Sequence, residues 1–205
     1  MNTLVTLVRS SMLAAGLALA CSVSAQNLLT NPDFAGSGNG WGTFGAAGFT
    51  DFFGQNTEAA FFSDNDGNGG GLFQDVAGTA GLEYTFTILA MRIETNTNPT
   101  ISYGLEFRDA GNALISFAGT VIDYGSVSRN DNNYSPASVS GIAPTGTAVV
   151  RSIIGYSDTV AGSNFFFVFD TDLTAATPVP EPASFAALTG LGALGCVALR
   201  RRRRA

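Results

Sequence analysis

The chain has 205 residues, contains no histidine or lysine, and carries a formal net charge of −6. Residues 26–182 hold all 16 acidic residues but only four arginines, which gives this part of the chain a net charge of −12. Such a surface repels phosphate backbones and anionic lipid, so nucleic acid is excluded as a partner. The same residues contain no cysteine, histidine or lysine, which excludes Ser-His, Cys-His and lysine nucleophile systems. The negative charge leaves divalent cations and neutral polymers as ligands.

The first 25 residues predict a signal peptide. Arg9 supplies a positive n-region, residues 12–20 form an apolar h-region, and Ala25 ends the small-residue pattern after which signal peptidase cleaves. The alternative is lipidation of Cys21, a thiol that follows directly after the h-region. The other cysteine, Cys196, lies near the C-terminus, so the mature domain is expected to fold without a disulfide.

Residues 26–173 predict a single all-β domain, because short apolar or alternating segments follow one another with turn residues between them. The alternation is most regular at residues 101–108, which is typical of a strand with one buried face. It slips near Leu89, which predicts a bulge, and residues 164–173 predict a strand buried on both faces. About ten strands favour an antiparallel β-sandwich of the jelly-roll type, followed by a linker at residues 174–179.

An acidic loop within this domain matches the ligand spacing of a calcium-binding loop. Asp64, Asp66 and Asn68 occupy the first, third and fifth positions of a D-x-[DN]-x-[DN]-G pattern. Asp75 stands at the twelfth position, where a bidentate Glu is usual, and hard oxygen ligands on a glycine-rich loop suit Ca²⁺. The alternative is a solvated turn, because turns use the same residue types.

Aromatic residues outside the strand interiors are candidates for stacking on sugar rings. Tyr124 and Tyr134 lie in a polar segment, residues 123–135, that predicts an exposed loop, and Tyr156 lies next to a predicted loop. These three tyrosines are the predicted glycan contacts. Most of the 16 phenylalanines fall in strands and predict core positions, and the lone Trp41 predicts a structural role at one end of the sandwich.

The C-terminal segment, residues 180–205, combines three features in order. Pro180, Glu181 and Pro182 form a segment that resists helix formation, because proline lacks a backbone N–H and restricts the residue before it. Residues 183–199 carry no charge and predict a short transmembrane helix. A cluster of arginines that is expected to stay on the cytoplasmic side follows this helix: Arg200, Arg201, Arg202, Arg203 and Arg204.

This order of features closely resembles the PEP-CTERM sorting signal of exported bacterial proteins. The resemblance implies that an exosortase-type membrane enzyme recognises and removes the segment on the way to the cell surface or extracellular matrix. Until then we expect the protein to be anchored transiently in the inner membrane, with the residues before Pro180 outside it. A tail anchor that is never cut is the alternative, because hydropathy alone does not distinguish the two.

Local patterns along the domain also resemble the galactose-binding-like carbohydrate-binding modules, which have a jelly-roll fold. The matching pieces are NLLTNPDF followed by GW, then GLFQDVAGTAGLEYTF, SVSGIAPTGTAVVRSIIGY and FFFVFDTDL. The resemblance implies a structural Ca²⁺ held by Asp170 on the last strand. Ala35 stands where these modules commonly have a glutamate, and we expect at most one bound Ca²⁺ in the whole domain.

Together these features predict an exported, non-enzymatic protein of the cell surface or extracellular matrix that binds or organises extracellular polysaccharide. A structural surface protein that self-associates without a glycan ligand is one alternative, and a carboxylate-based glycoside hydrolase is another. The expected partners are signal peptidase, an exosortase-type enzyme and extracellular polysaccharide. Structural Ca²⁺ is the one cofactor that the sequence suggests.

Overall fold

The computed structural model describes residues 26–51, 58–63, 69–93, 100–128, 134–157 and 165–176. These residues form ten β-strands, a four-residue helical turn and a 3₁₀ turn at Tyr124–Ser126. In chain order the elements are α1 (Ala35–Gly38), β1 (Gly42–Gly45), β2 (Ala47–Asp51), β3 (Glu58–Ser63), β4 (Gly70–Ala77), β5 (Glu83–Ile93), β6 (Thr100–Arg108), β7 (Leu114–Ile122), β8 (Ser135–Ile142), β9 (Val149–Ser157) and β10 (Phe165–Ala176).

The strands form two five-stranded sheets. Sheet A has the order β1-β4-β9-β6-β7, and sheet B has the order β2-β3-β10-β5-β8. Every pairing in both sheets is antiparallel. The prediction of an all-β antiparallel sandwich is therefore confirmed.

The main hydrophobic core fills the space between the two sheets. Strands β5 of sheet B and β6 of sheet A turn alternate aromatic and aliphatic residues into it. The ring centroids of Tyr84 and Phe107 are 6.2 Å apart, and those of Phe86 and Tyr103 are 6.5 Å apart, so aromatic side chains interdigitate across the sandwich. The regular alternation at residues 101–108 does mark a strand with its apolar face in the core.

The predicted bulge lies in the neighbouring strand. The register between β10 and β5 shifts between Val168 and Asp170, which pair with Ala90 and Leu89. Phe169 is therefore the extra residue, and the slip in the sequence near Leu89 marks the right position in the sheet but the wrong strand. Residues 166–169 of β10 are all buried, which confirms the prediction of a strand buried on both faces.

Strand β10 is longer than the sequence predicts. Its last residues, Thr174 to Ala176, pair with Thr85 to Glu83 of β5. The first half of the predicted linker, residues 174–179, therefore belongs to sheet B, and the predicted domain boundary at residue 173 falls three residues too early.

Residues 26–34, which precede α1, begin with an apolar stretch that predicts a short strand. In the structure these residues do not form a strand of sheet B, and their first part runs beside β10. The Asn27 side chain donates a hydrogen bond to the carbonyl of Thr171 at 2.9 Å and accepts one from the N–H of Leu173 at 3.0 Å. The N–H of Leu28 donates to the carbonyl of Leu173 at 2.7 Å. A single asparagine thus replaces part of a strand ladder and holds the start of the domain against its last strand.

Trp41 has the structural role that its sequence position predicts. It is buried, its ring centroid lies 5.1 Å from that of Phe34, and its Nε1–H donates to the carbonyl of Asn31 at 3.0 Å. The buried Gln74 side chain fixes the same region by accepting from the N–H of Thr30 at 2.6 Å. These contacts close one end of the sandwich.

Within the described residues, no helix is long and apolar enough to cross a membrane. The predicted signal peptide, residues 1–25, and the predicted transmembrane helix, residues 183–199, lie outside the residues that the structure describes.

Candidate functional site

A shallow trough of about 350 Å³ crosses the outer face of sheet A, the face directed away from the core. Its lining comes from all five strands of the sheet and includes Phe44, Ser102, Glu106, Phe117, Ile153 and Gly155. Thr100 and Ser157, which pair with each other at the ends of β6 and β9, add two hydroxyl groups to the lining. The trough therefore combines apolar walls with several polar groups, as small-molecule and sugar sites do.

Glycines lie side by side on neighbouring strands of this outer face, and one of them, Gly155, lines the floor of the trough. Gly71 of β4 pairs with Gly155 of β9, which pairs with Ser102 of β6. In the next row along the strands, Gly104 of β6 pairs with Gly119 of β7. Glycine inside a strand commonly marks a close approach of a ligand or another group to the backbone, and here the glycines align across the sheet.

Two phenylalanine rings stand at opposite sides of this floor. Phe44 on β1 is 46% exposed and Phe117 on β7 is 52% exposed. A side chain added at Gly71 would overlap the Phe44 ring, and one added at Gly119 would overlap the Phe117 ring, so each ring lies over a glycine. The glycines thus let both rings lie against the sheet while they remain open to solvent.

A row of charged residues closes one side of the trough. Arg151 donates from Nε and Nη2 to both carboxylate oxygens of Asp75, at 2.6 and 2.8 Å, and its guanidinium carbon lies 4.1 Å from the Phe73 ring centroid. Arg108 donates from Nε and Nη2 to Glu106 at 2.8 and 2.6 Å. Hydrogen bonding to Asp75 raises the pKa of Arg151, so Arg151 keeps its positive charge at any physiological pH.

The structure corrects the predicted glycan contacts. Tyr124 is only 2% exposed, and its hydroxyl donates to the carbonyl of Ile93 at 2.8 Å, so residues 123–135 do not expose it as predicted. Tyr156 borders the trough, but it is buried and its ring centroid lies 6.2 Å from that of Phe62 in the core. Buried rings offer no face for stacking, so neither tyrosine serves as a platform.

Tyr134 lies on the other side of the sandwich. It is 36% exposed, and its ring centroid lies 4.6 Å from that of Phe169 in sheet B. The three predicted tyrosines therefore do not converge on one surface.

The first predicted metal loop receives no support from Asp75. Both carboxylate oxygens of Asp75 accept hydrogen bonds from Arg151, which does not fit a metal ligand. The other predicted ligands, Asp64, Asp66 and Asn68, lie outside the described residues. Within the described part of the chain, no group of three or more acidic, histidine or cysteine residues is placed to hold a metal ion.

Asp170, the alternative metal ligand, lies in a crowded acidic region. Burial raises the pKa of Asp170, and the charges of Asp33 and Asp172 raise it further, while a hydrogen bond from the N–H of Thr171 at 2.8 Å acts in the opposite direction. The region is rich in negative charge, as a cation would require, but Ala35 contributes no ligand where the related modules have glutamate. A structural Ca²⁺ at Asp170 stays a prediction.

Sequence reasoning missed Phe44 and Phe117 because it assigned strand phenylalanines to the core. A signal for the trough was present: single glycines interrupt the strand patterns at Gly104 and Gly155, and Gly71 ends a run of three glycines. Their alignment into one floor depends on the register of β4, β9 and β6, which links positions more than 30 residues apart. No local pattern contains that information.

Residues 178–203 match the PEP-CTERM protein-sorting motif. The chain therefore carries the sorting signal that its last residues resemble. The motif indicates export and sorting to the cell surface. The predicted features of this signal lie outside the described residues: Pro180, Glu181, Pro182 and the arginine cluster. The predicted signal peptidase site at Ala25 also lies outside them.

The folded domain is similar to solved carbohydrate-binding modules. TmCBM61, whose structure was determined in complex with β-1,4-galactotriose, has a TM-score of 0.55 at 16% identity, covering 74% of this chain and 100% of that one. The CBM22-1 xylan-binding domain from Paenibacillus barcinonensis Xyn10C has a TM-score of 0.52 at 10% identity, covering 76% and 97%.

The enzymatically active domain of tailspike protein 4 from bacteriophage CBA120 has a TM-score of 0.55 at 12% identity, covering 73% of this chain but only 21% of that one. At these identities the similarities show the shared jelly-roll fold, as predicted, and not a shared ligand. A search of curated proteins found no significant match.

Proposed function

We propose that the domain binds a neutral polysaccharide in the trough of sheet A and that the protein is a non-enzymatic component of the cell surface or extracellular matrix. The observation that carries this proposal is the trough floor at Gly155, which lies between the exposed rings of Phe44 and Phe117. The structural neighbours that bind galactotriose and xylan support the choice of ligand class.

The geometry of the trough suits a flat, extended chain. The Phe44 ring lies over β4 and the Phe117 ring lies over β6 and β7, with β9 between them. Because neighbouring strands are about 4.8 Å apart, the two rings are separated by roughly 10 Å, which places both within reach of one short stretch of linked sugar residues. Sugar rings would stack on the phenylalanines, and the hydroxyls of Thr100, Ser102 and Ser157 would hydrogen-bond to their polar edges.

Electrostatics favour a neutral ligand over an acidic one. Glu106 is the charged residue among those that line the trough, and the mature chain carries a net charge of −12. The arginines beside the trough, Arg151 and Arg108, are already bound to Asp75 and Glu106, so they are not free to neutralise a uronate or sulfate group. An anionic polysaccharide would therefore be repelled both at long range and at the site.

The carboxylates beside the trough do not form a hydrolytic pair. Asp75 accepts two hydrogen bonds from Arg151, and Glu106 accepts two from Arg108. A glycosidase acid must be free to donate its proton to the glycosidic oxygen, whereas both of these carboxylates already accept hydrogen bonds from guanidinium groups. Binding without hydrolysis is the function that this arrangement supports.

The proposal is tested by replacing Phe44 and Phe117 with alanine, separately and together, and measuring binding to neutral polysaccharides by affinity electrophoresis and calorimetry. Loss of a central aromatic contact costs over 1 kcal/mol, so we expect each variant to bind about tenfold more weakly and the double variant to show no retention. Tyr134→Ala, an aromatic replacement on the opposite sheet, is the control and should bind as the wild type does. If Tyr134→Ala alone abolished binding, or if no neutral glycan bound to the wild type, the trough would not be the site.

We further propose that signal peptidase cleaves after Ala25 and that an exosortase-type enzyme removes the C-terminal segment near Pro180 to Pro182. Mass spectrometry of the protein recovered from its native cell surface should show Gln26 as the first residue and should lack Arg200 to Arg204. Glu181→Ala should retain the arginine cluster and stay in the membrane fraction. A surface-bound wild-type protein that keeps its full C-terminus would contradict removal and favour an uncut anchor.

A further inference from the structure

Strand β7 is an edge strand that carries neither charge nor proline against pairing. It lies at the end of sheet A and, among the described residues, pairs only with β6. Its nine residues, LISFAGTVI, include no charge and no proline. An edge strand of this kind presents unpaired backbone N–H and C=O groups to any chain that can form the next strand.

The other three sheet edges differ from β7 in ways that discourage pairing. Strand β1 has only four residues, and β2 has five and ends in Asp51. Strand β8 has eight residues, but Pro136 has no backbone N–H to donate to a further strand. Short length, charge and proline are the devices by which natural sheets protect their edges, and β7 carries none of them.

The exposed side chains of β7 are also apolar. Val121 is 60% exposed and Phe117 is 52% exposed, and both lie on the outer face of the sheet. A register shift at the start of the strand places Ile115 in a bulge, which leaves residues 116–122 as a regular run. This run is long enough for a stable strand pair and offers hydrophobic cross-strand contacts.

We propose that two copies of the chain associate through antiparallel pairing of their β7 strands, which joins two copies of sheet A into one continuous sheet. A second copy fits this edge because a two-fold axis lets one sequence satisfy both unpaired edges at once. In a domain with a net charge of −12, the uncharged β7 is also a surface at which two identical copies approach without juxtaposed carboxylates.

The regular run defines the register of the pair. Centred on Gly119, it places Phe117 opposite the partner's Val121 and Ala118 opposite the partner's Thr120. Aromatic and β-branched residues are favourable cross-strand neighbours, so the two most exposed apolar residues of the run pack side by side on the outer face. If the proposed glycan function holds, the two troughs also lie side by side on one surface, and a single polysaccharide could contact both.

Cysteine cross-linking tests the register directly. The full chain would be prepared in non-ionic detergent with Cys21→Ser and Cys196→Ser, and Ala118→Cys and Thr120→Cys would be introduced in separate molecules that differ in tag size. Directly opposed residues have Cα atoms about 5 Å apart, within the range of a disulfide, whereas two copies of residue 118 are two positions out of register and beyond the limit of about 7 Å.

We expect a mixture of the two variants to form a disulfide-linked heterodimer, while each variant alone forms at least tenfold less cross-linked product. Ile142→Cys, at an exposed position on β8, is the control for disulfides that form by random collision. Equal cross-linking in all samples, or none in the mixture, would overturn the proposal.

A second measurement covers the possibility that a cysteine disturbs the edge. Val121→Lys should raise the dimer dissociation constant at least tenfold in sedimentation experiments, because it replaces the apolar contact with the partner's Phe117 by a charged side chain on the strand edge. Ile142→Lys is the matched control, since it makes the same change at a similarly exposed residue on β8. Dimers that resist Val121→Lys, or a wild type that stays monomeric, would overturn the proposal.

Val121 is not part of the trough lining, so the glycan affinity of each molecule should be unchanged in Val121→Lys. This measurement separates the failure of the dimer proposal from the failure of the proposed function.

Discussion

The outer faces of the two sheets carry similar numbers of phenylalanines but use them in opposite ways. On sheet B, Phe167 pairs with Met91 and Phe61, and this face forms a second buried cluster. On sheet A, Phe44 pairs with Gly71 and remains exposed. A strand phenylalanine therefore becomes core where its neighbours across the sheet are large, and becomes a surface platform where they are glycines.

The largest expected effect is a difference in the free energy of unfolding between variants of the two outer faces. Phe167→Ala removes a buried ring and should lower the free energy of unfolding by about 3 kcal/mol, whereas Phe117→Ala removes an exposed ring and should lower it by less than about 1 kcal/mol. Urea unfolding of both variants measures the difference. Equal losses would mean that the outer face of sheet A is as much a part of the core as that of sheet B.

A change in the glycine floor should affect binding without affecting stability. Gly155→Val fills the trough, and its Cβ would meet the Ser102 hydroxyl oxygen at 2.9 Å, a group that can rotate away. Gly155 does not have positive φ, and valine suits a strand, so we expect the melting temperature to be retained while glycan affinity falls at least tenfold. Thr85→Val on sheet B is the control with unchanged affinity. Undiminished binding by a folded Gly155→Val protein would exclude the floor as part of the site.

The smallest expected effect concerns the acidic region at Asp170. Its pKa is raised in the folded state, so the ionised form is disfavoured by folding, and the associated stability is present at acidic pH and lost as the pH rises through the folded-state pKa. Asp170→Asn should therefore melt at the same temperature as the wild type near pH 4 and at a slightly higher temperature at pH 7, measured by calorimetry in the presence of EDTA. A difference that does not change with pH would show that the charge of Asp170 is unimportant for stability.

The parts of the structure that follow from local patterns could be predicted from the sequence. The alternation of residues 101–108 identifies β6, and the aromatic run of residues 165–169 identifies a strand buried on both faces. The sorting motif is likewise a linear pattern, and the matched range of residues 178–203 agrees with the predicted segment.

The parts that depend on distant contacts could not be predicted. Tyr124 lies in a polar segment and predicts an exposed ring, yet Arg92 from β5 lies 5.0 Å from its ring centroid, and its hydroxyl reaches the carbonyl of Ile93. The trough exists only because the registers of four strands bring separate glycines together. Such a surface is a property of the assembled sheet and has no counterpart in any short stretch of sequence.

The position of β10 has a consequence for how an exported chain can fold. β10 is the last strand in the sequence, but it lies in the middle of sheet B, between β3 and β5. A chain that crosses a membrane with its N-terminus first therefore cannot complete sheet B until residue 176 has emerged. Sheet B is thus the part of an exported domain that closes last.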